Sequence, residues 1–286
     1  MRYVVALGGN AIGSRLSPNA ARFITGLYKR GNEVVVTHGN GPQVGALSEV
    51  EDKSLSILTA QTQAEIGTII QAGLLKSMRS RILEHNMPII ITRCLVSPND
   101  PEMRTPSKPI GRFLTKSQAD SASRHGQHVR LLIGGYRRVV PSPTPLDVLE
   151  IGVIKYVLRR SRMVVAGGGG GVPVAMARSG IRYLDAVIDK DYTSSLIARK
   201  IGADMLVILT NTDGVYTSFG KSGQRLIRRT TAAGLEPLIR KGEFESGSML
   251  PKVMACIDFV RKTGKKAAIG NISGAGSSMS ATTILP

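Results

Sequence analysis

Short apolar runs alternate along the chain with stretches whose apolar positions recur every three or four residues. Residues 2–7 form the first run, which stops at Gly8-Gly9 and reads as a strand. Ser17-Pro18 then opens a helix, with a hydroxyl cap and proline at the first helical position. Ala21, Ile24, Leu27 and Tyr28 mark its apolar face and Gly31 closes it. Residues 33–37 read as a second strand, 58–84 as a long helix and Pro88-Ile89-Ile90-Ile91 as a third strand. Further on, helices at 145–160, 193–201 and 251–263 lead into strands at 163–166, 205–210 and 266–269, and a strand at 282–285 ends the pattern. This alternation predicts an α/β fold with a mainly parallel sheet covered on both faces.

From residue 98 to 145 the pattern breaks. Prolines stand at 98, 101, 106, 109, 141, 143 and 145, and no long helix fits between them. The segment reads as an excursion from the sheet, a small hairpin-bearing subdomain inside one domain spanning 1–286. No internal repeat is apparent.

Composition sharpens this picture in a few places. With 42% hydrophobic residues the 286-residue chain can bury a large core, and no stretch is apolar enough to span a bilayer. The first run meets glycine too early to serve as a signal-peptide core. Cys94 and Cys256 form no CxxC; one disulfide between them is an alternative, but they read better as two buried thiols of a reducing cytoplasm, so a cytoplasmic location is expected. The four histidines give no HExxH, and no metal ligand is assigned. The formal charge of +18 favours anionic partners. Its lysines and arginines fall in short clusters such as Arg159-Arg160 with Arg162, Arg228-Arg229 and Lys265-Lys266. Aromatics make up only 4% and no nucleic-acid-binding motif accompanies the charge, so most of it reads as a solvated surface, with nucleic-acid binding on a kinase scaffold as the minority reading.

Candidate chemistry gathers where strands end. Leu7-Gly8-Gly9-Asn10-Ala11, His38-Gly39-Asn40-Gly41-Pro42 and Gly167 through Gly171 each follow a strand-like run. Glycine lets backbone amides approach an anionic ligand, and ligands of open α/β sheets bind at the carboxyl ends of strands. The common nucleotide motifs fail. Gly8 and Gly13 have Walker spacing but Ser14-Arg15 follows, and Val172 stands where GxGxxG needs its last glycine. Asp189-Lys190-Asp191 admits two compatible readings: two carboxylates aiming a lysine, or Asp191 capping the next helix. Lys108, between prolines, and Lys252, after Pro251, stand on stiff backbone that suits a positioned charge.

Taken together, the segments resemble the carbamate kinase branch of the amino-acid-kinase family. The resemblance rests on Leu7 to Ala11, Thr37-His38-Gly39-Asn40-Gly41-Pro42-Gln43-Val44-Gly45, Lys108 to Gly111 and Arg137 to Pro143. It continues through Gly168 to Val174, Ala186-Val187-Ile188-Asp189-Lys190-Asp191, Asp213 to Tyr216, and Gly247 to Met249 with Pro251-Lys252. It implies a three-layer αβα sandwich around an eight-stranded, mostly parallel sheet, a homodimer, and residues 98–145 as a protruding subdomain over the acceptor site. The implied reaction is reversible phosphoryl transfer between MgATP and carbamate, with Mg²⁺ held mainly by nucleotide phosphates.

Roles then follow position by position. Gly8, Gly9, Asn10, Gly39, Asn40 and Gly41 would bind the acceptor and the transferring group. Lys190 would stabilise that group, Lys108 would reach it from the subdomain, and Lys252 would hold the nucleotide phosphates. Asp191 and Asp189 would orient the lysines. Gly168, Gly169, Asp213, Val215, Tyr216 and Met249 would lie on the nucleotide side. Arg112, where the family has proline, and a shortened first loop leave a different small carboxylate or phosphate acceptor as the alternative. A nucleotide sensor without turnover is a further one, against which the intact lysines speak.

Overall fold

The computed structural model describes residues 1–8, 11–78, 86–132, 134–245, 247–272 and 279–286. The central sheet takes β1 (Arg2–Leu7), β2 (Glu33–His38), β8 (Met163–Val165), β11 (Met205–Leu209), β14 (Arg229–Thr231), β15 (Lys266–Asn271) and β16 (Ser280–Leu285). Their order is β14-β16-β15-β11-β1-β2-β8, and every pair is parallel except β15 with β16. The eighth place, beside β8, is taken by residues 88–90. Ile90 N–H donates to Val165 O at 2.9 Å and Val165 N–H to Pro88 O at 3.0 Å, with a single bridge at Ile89.

The strand pattern explains the layers. In β1, Val4 and Ala6 face one core while Val5 and Leu7 face the other, all fully buried. A strand buried on both faces needs helices on both sides. Helices α1 (Pro18–Lys29) and α3 (Leu55–Met78) cover one face; α5 (Ile151–Ser161), α6 (Lys190–Ile201) and α8 (Met249–Thr263) cover the other. Full burial of a side chain such as Ile24, Ile70 or Phe259 contributes about 1.5–3 kcal/mol. Both cysteines are free and buried.

The remaining elements form outworks. Helix α2 (Gly41–Val50) follows β2 directly. Strands β3 (Arg93–Val96), β7 (Pro145–Val148), β9 (Val172–Ala177) and β10 (Gly180–Tyr183) make a second sheet, ordered β10-β9-β3-β7. Inside the proline-rich excursion, β4 (Lys108–Leu114), β5 (Val129–Leu132) and β6 (Gly135–Val140) form a three-stranded sheet, with α4 (Lys116–Arg124) against it. Strands β12 (Val215–Thr217) and β13 (Arg225–Ile227) pair as a hairpin, and α7 (Ala232–Arg240) precedes α8.

Several sequence expectations need correction. Residues 145–148 are strand rather than helix, because Pro145 and Val148 pair with Val96 and Cys94 of β3, so α5 starts only at Ile151. The Ser17 hydroxyl makes no capping bond at α1. The long helix begins at Leu55, and the expected stretch 79–84 lies outside the described residues. Helix α4 was not expected, although Thr115 and Gln118 form a capping box that the spacing Thr-x-x-Gln announces. Among the described residues no helix is long and apolar enough to cross a membrane.

Candidate active site

The parallel strands bring Gly8 and Gly39 side by side, because Leu7 pairs with His38 and Gly8 N–H donates to Leu209 O at 3.1 Å. Helices α2, α6 and α8 start at this carboxyl edge. Asn40 precedes α2, Asp189 precedes α6 and Ser248 precedes α8. Each helix start carries partial positive charge, a favourable setting for phosphate.

The aspartate-lysine-aspartate segment resolves its two readings in a way the sequence left open. Asp189, not Asp191, is the cap: its Oδ1 accepts from Asp191 N–H at 2.8 Å. That leaves Asp191 free for cations. Its Oδ1 accepts from Lys190 Nζ at 2.5 Å and its Oδ2 from Lys252 Nζ at 3.3 Å. The other oxygen of Asp189 accepts from Lys108 Nζ, delivered by the first residue of β4. Lys108, Lys190 and Lys252, widely separated in sequence, therefore meet on two neighbouring carboxylates.

Burial gives this cluster its electrostatic character. Burial pulls the Lys108 ammonium down, but Asp189 outweighs it and holds the group above the ordinary lysine value. Lys190 goes the other way: burial, with repulsion from Lys252, outweighs Asp191 and Asp189 and lowers it. Burial also opposes ionisation of Asp189, yet Lys108 and Lys190 keep its carboxyl below the usual range. Gly39 lies over the Lys190 stem, and a Cβ there would come within 3.1 Å of Lys190 Cδ.

The glycine run 167–171 turns out to be buried backing. A Cβ at Gly168 would lie 2.3 Å from His38 Nε2, and one at Gly169 would lie 2.1 Å from Asn40 Nδ2. Gly167 and Gly169 also hold positive φ, +68° and +57°, which favours glycine. Asn40 is held from the other side, donating to Thr62 Oγ1 at 2.9 Å. His38, also buried, lies 3.0 Å through Nδ1 from Gly39 O. Burial, with the Lys190 charge adding and the Gly39 carbonyl opposing, lowers its pKa to about 4. Sequence reasoning gave His38 no role; only its place before Gly39 marked it.

The other expected positions are spread along the same edge. Asp213, Val215 and Tyr216 follow β11, and Val215 N–H donates to Thr282 Oγ1 at 2.7 Å. Met249 opens α8 and packs against the core cluster that contains Val215. A cavity of about 70 Å³ beside Gly8 is lined by Ser17, Thr210, Asn211 and Asn271. Gly9 and Asn10 lie outside the described residues. Arg112 is not a free cation at the acceptor side: its Nε pairs with Glu49 Oε2 of α2 at 3.1 Å.

Comparison with known proteins decides the family. The family model described as Amino acid kinase family matches residues 1–271. The chain belongs to the amino acid kinase family. A carbamate kinase of Thermoplasma acidophilum is 40% identical over 98% of this chain and 96% of its own. Among solved structures, carbamate kinase from Giardia lamblia bound to AMP-PNP superposes with a TM-score of 0.84 at 34% identity, covering 99% of this chain and 98% of that one. A protein from Aeropyrum pernix K1, solved as project APE1968, gives a TM-score of 0.88 at 40% identity, covering 100% and 99%. As a family member the protein has the mixed α/β architecture with a large, mostly parallel sheet that its sequence pattern predicts.

Proposed function

We propose that this protein is a carbamate kinase, transferring a phosphoryl group reversibly between MgATP and carbamate to give MgADP and carbamoyl phosphate. The observation that carries the reading is the meeting of Lys108, Lys190 and Lys252 on Asp189 and Asp191 at the carboxyl edge of the sheet. The full-length likeness to carbamate kinases supports it.

The chemistry needs no general base. Carbamate is already anionic; its oxygen bonds to the γ-phosphorus while the bond from that phosphorus to the β,γ-bridging oxygen breaks and ADP leaves. The transition state is loose and spreads negative charge over the equatorial oxygens, so positioning and charge neutralisation dominate. Lys190, beneath Gly39, meets the transferring group. Lys108 reaches it from the 98–145 subdomain, which covers the acceptor side of the single domain. Lys252 holds the nucleotide phosphates.

The aspartates keep three ammonium groups together that would otherwise repel. Their oxygens are given to lysines and a backbone amide, the donor set of a lysine clamp, so Mg²⁺ comes in with the nucleotide phosphates. Gly8, Gly39, Asn40 and Gly41, with Gly9 and Asn10, take the acceptor; Asp213, Val215, Tyr216 and Met249 take the adenine. Gly168 and Gly169 serve this site by leaving room for His38 and Asn40.

Two further features belong to this reading. The β9–β10 hairpin carries exposed Met176, Ile181 and Tyr183, which its own core does not cover, and this supports a homodimer built on it. The buried free thiols suit a cytoplasmic protein.

The test supplies MgADP and carbamoyl phosphate and measures ATP formed, with Lys190→Ala alongside. The expected result is rapid ATP formation that falls by about 10²–10³ in the variant, the loss typical of removing one preorganised electrostatic donor. Nucleotide binding without ATP formation would sink the carbamate reading and point to another acceptor.

A further inference from the structure

In this fold the five parallel strands β8, β2, β1, β11 and β15 all begin at one edge, opposite the kinase site. Helices α1 and α5 end there, as does α8 before β15. Lys29 and Arg30 close α1, Arg159 and Arg160 close α5, Arg162 leads into β8, and Lys266 begins β15. All six are exposed, and none has a carboxylate within salt-bridge distance among the described residues.

The patch is continuous where it is densest. The Arg162 guanidinium lies 4.6 Å from the Tyr28 ring centroid, and its carbonyl accepts from Val34 N–H at 2.8 Å, which joins the ends of α1 and α5. Arg160 lies over Tyr156 at 5.1 Å. Stacking holds these planar forks in place for phosphate oxygens.

Helix electrostatics do not account for so much charge. A helix C-terminus carries only about half a negative charge, whereas α1 ends in two cations and α5 in three. Nor do these cations join the ion pairs that stabilise the rest of this edge, such as Arg2–Glu33 and Arg199–Asp258. With no carboxylate partner among the described residues, they repel one another.

We infer that this face binds the phosphate backbone of duplex nucleic acid without sequence preference. Five strand starts about 4.8 Å apart span roughly 20 Å, a length along which a duplex carries about a dozen charges. Four of the six cations are arginine, whose fork matches phosphate oxygens. Helix C-termini, not N-termini, face outwards here, so no helix start is offered to a groove. A six-residue strand is about 20 Å long, so an occupant of this face leaves the kinase edge open.

The experiment measures fluorescence anisotropy of a labelled 20-base-pair duplex with the full-length protein between 50 and 200 mM KCl. Neutralising four to six phosphates predicts an affinity loss of about 10²–10³ across that range. Arg159→Glu with Arg160→Glu weakens binding at least tenfold at 50 mM and reduces the salt slope by about two. Lys116→Glu with Arg124→Glu, equally exposed on α4, changes it less than twofold. Circular dichroism melts accompany each protein, and Lys29→Glu with Arg30→Glu replaces the first pair if that one unfolds. The inference is overturned if the duplex does not bind at 50 mM, or if edge and α4 variants behave alike. It is equally overturned if phosphatidylserine vesicles are captured while the duplex is not.

Discussion

His38 is the residue whose surroundings make the clearest statement about pH. It is buried and neutral, with a pKa lowered to about 4 from the ordinary 6.5. An imidazole that resists protonation when folded but accepts a proton when unfolded makes the unfolded state bind more protons between those values. Its contribution is therefore complete above about pH 6.5 and is lost progressively as pH falls towards 4, an effect of about 3 kcal/mol at most. Asp189 acts in a lower window: its depressed carboxyl stabilises the fold above the ordinary aspartate range and loses that contribution below it. Chemical denaturation at pH 7, 6, 5 and 4.5 should show the wild type losing stability more steeply than His38→Gln. Parallel curves for the two proteins would refute the assignment. The lysines and aspartates of the site were legible in the sequence as residues in constrained surroundings. Their pairing was not, because Lys108 and Lys252 lie far along the chain from the carboxylates that hold them.

At the scale of elements, the contact between α2 and β4 governs where Lys108 sits. Gly45 of α2 meets Gly111 of β4 backbone to backbone, and a Cβ at Gly45 would fall 1.8 Å from Gly111 N. Gly111 has φ +68°, so this approach needs glycine at both positions. Gly45→Ala must push β4 away, carrying Lys108 with it from Asp189. A displacement of about 1 Å can cost on the order of 10²-fold in rate. Steady-state kinetics should therefore show kcat reduced by about that factor with nucleotide affinity within twofold of wild type; an unchanged kcat would place Lys108 independently of this contact. Most strands of the central sheet are readable because their apolar runs are continuous; β14, three residues long and largely polar, is not. Within the excursion a hairpin is readable but its separate strands are not, since β4, β5 and β6 mix polar and apolar residues and are set by pairing across loops; β7 reads as helix in the sequence because its partner β3 lies some fifty residues away.

The whole molecule divides its surface by the direction of its strands, with the proposed phosphoryl-transfer site at their carboxyl ends and, at their amino ends, cations that have no carboxylate partner among the described residues. The proposed homodimer also belongs to this scale. Sedimentation velocity should give roughly twice the chain mass for the wild type and a monomer for Met176→Asp with Ile181→Asp, residues that pair on the exposed hairpin. A wild-type monomer would leave those side chains without a partner of their own kind. By itself the sequence determined the α/β alternation, the family, the glycine-bearing strand ends and the three lysines, because all are local or written in fixed order along the chain. Tertiary structure alone decided three other things. Asp189 became the cap and Asp191 the cation holder, the five-glycine run became a backing for His38 and Asn40, and the basic ends of α1 and α5 came to one edge. Each depends on which distant segments the parallel sheet aligns, and no spacing along a single chain encodes that alignment.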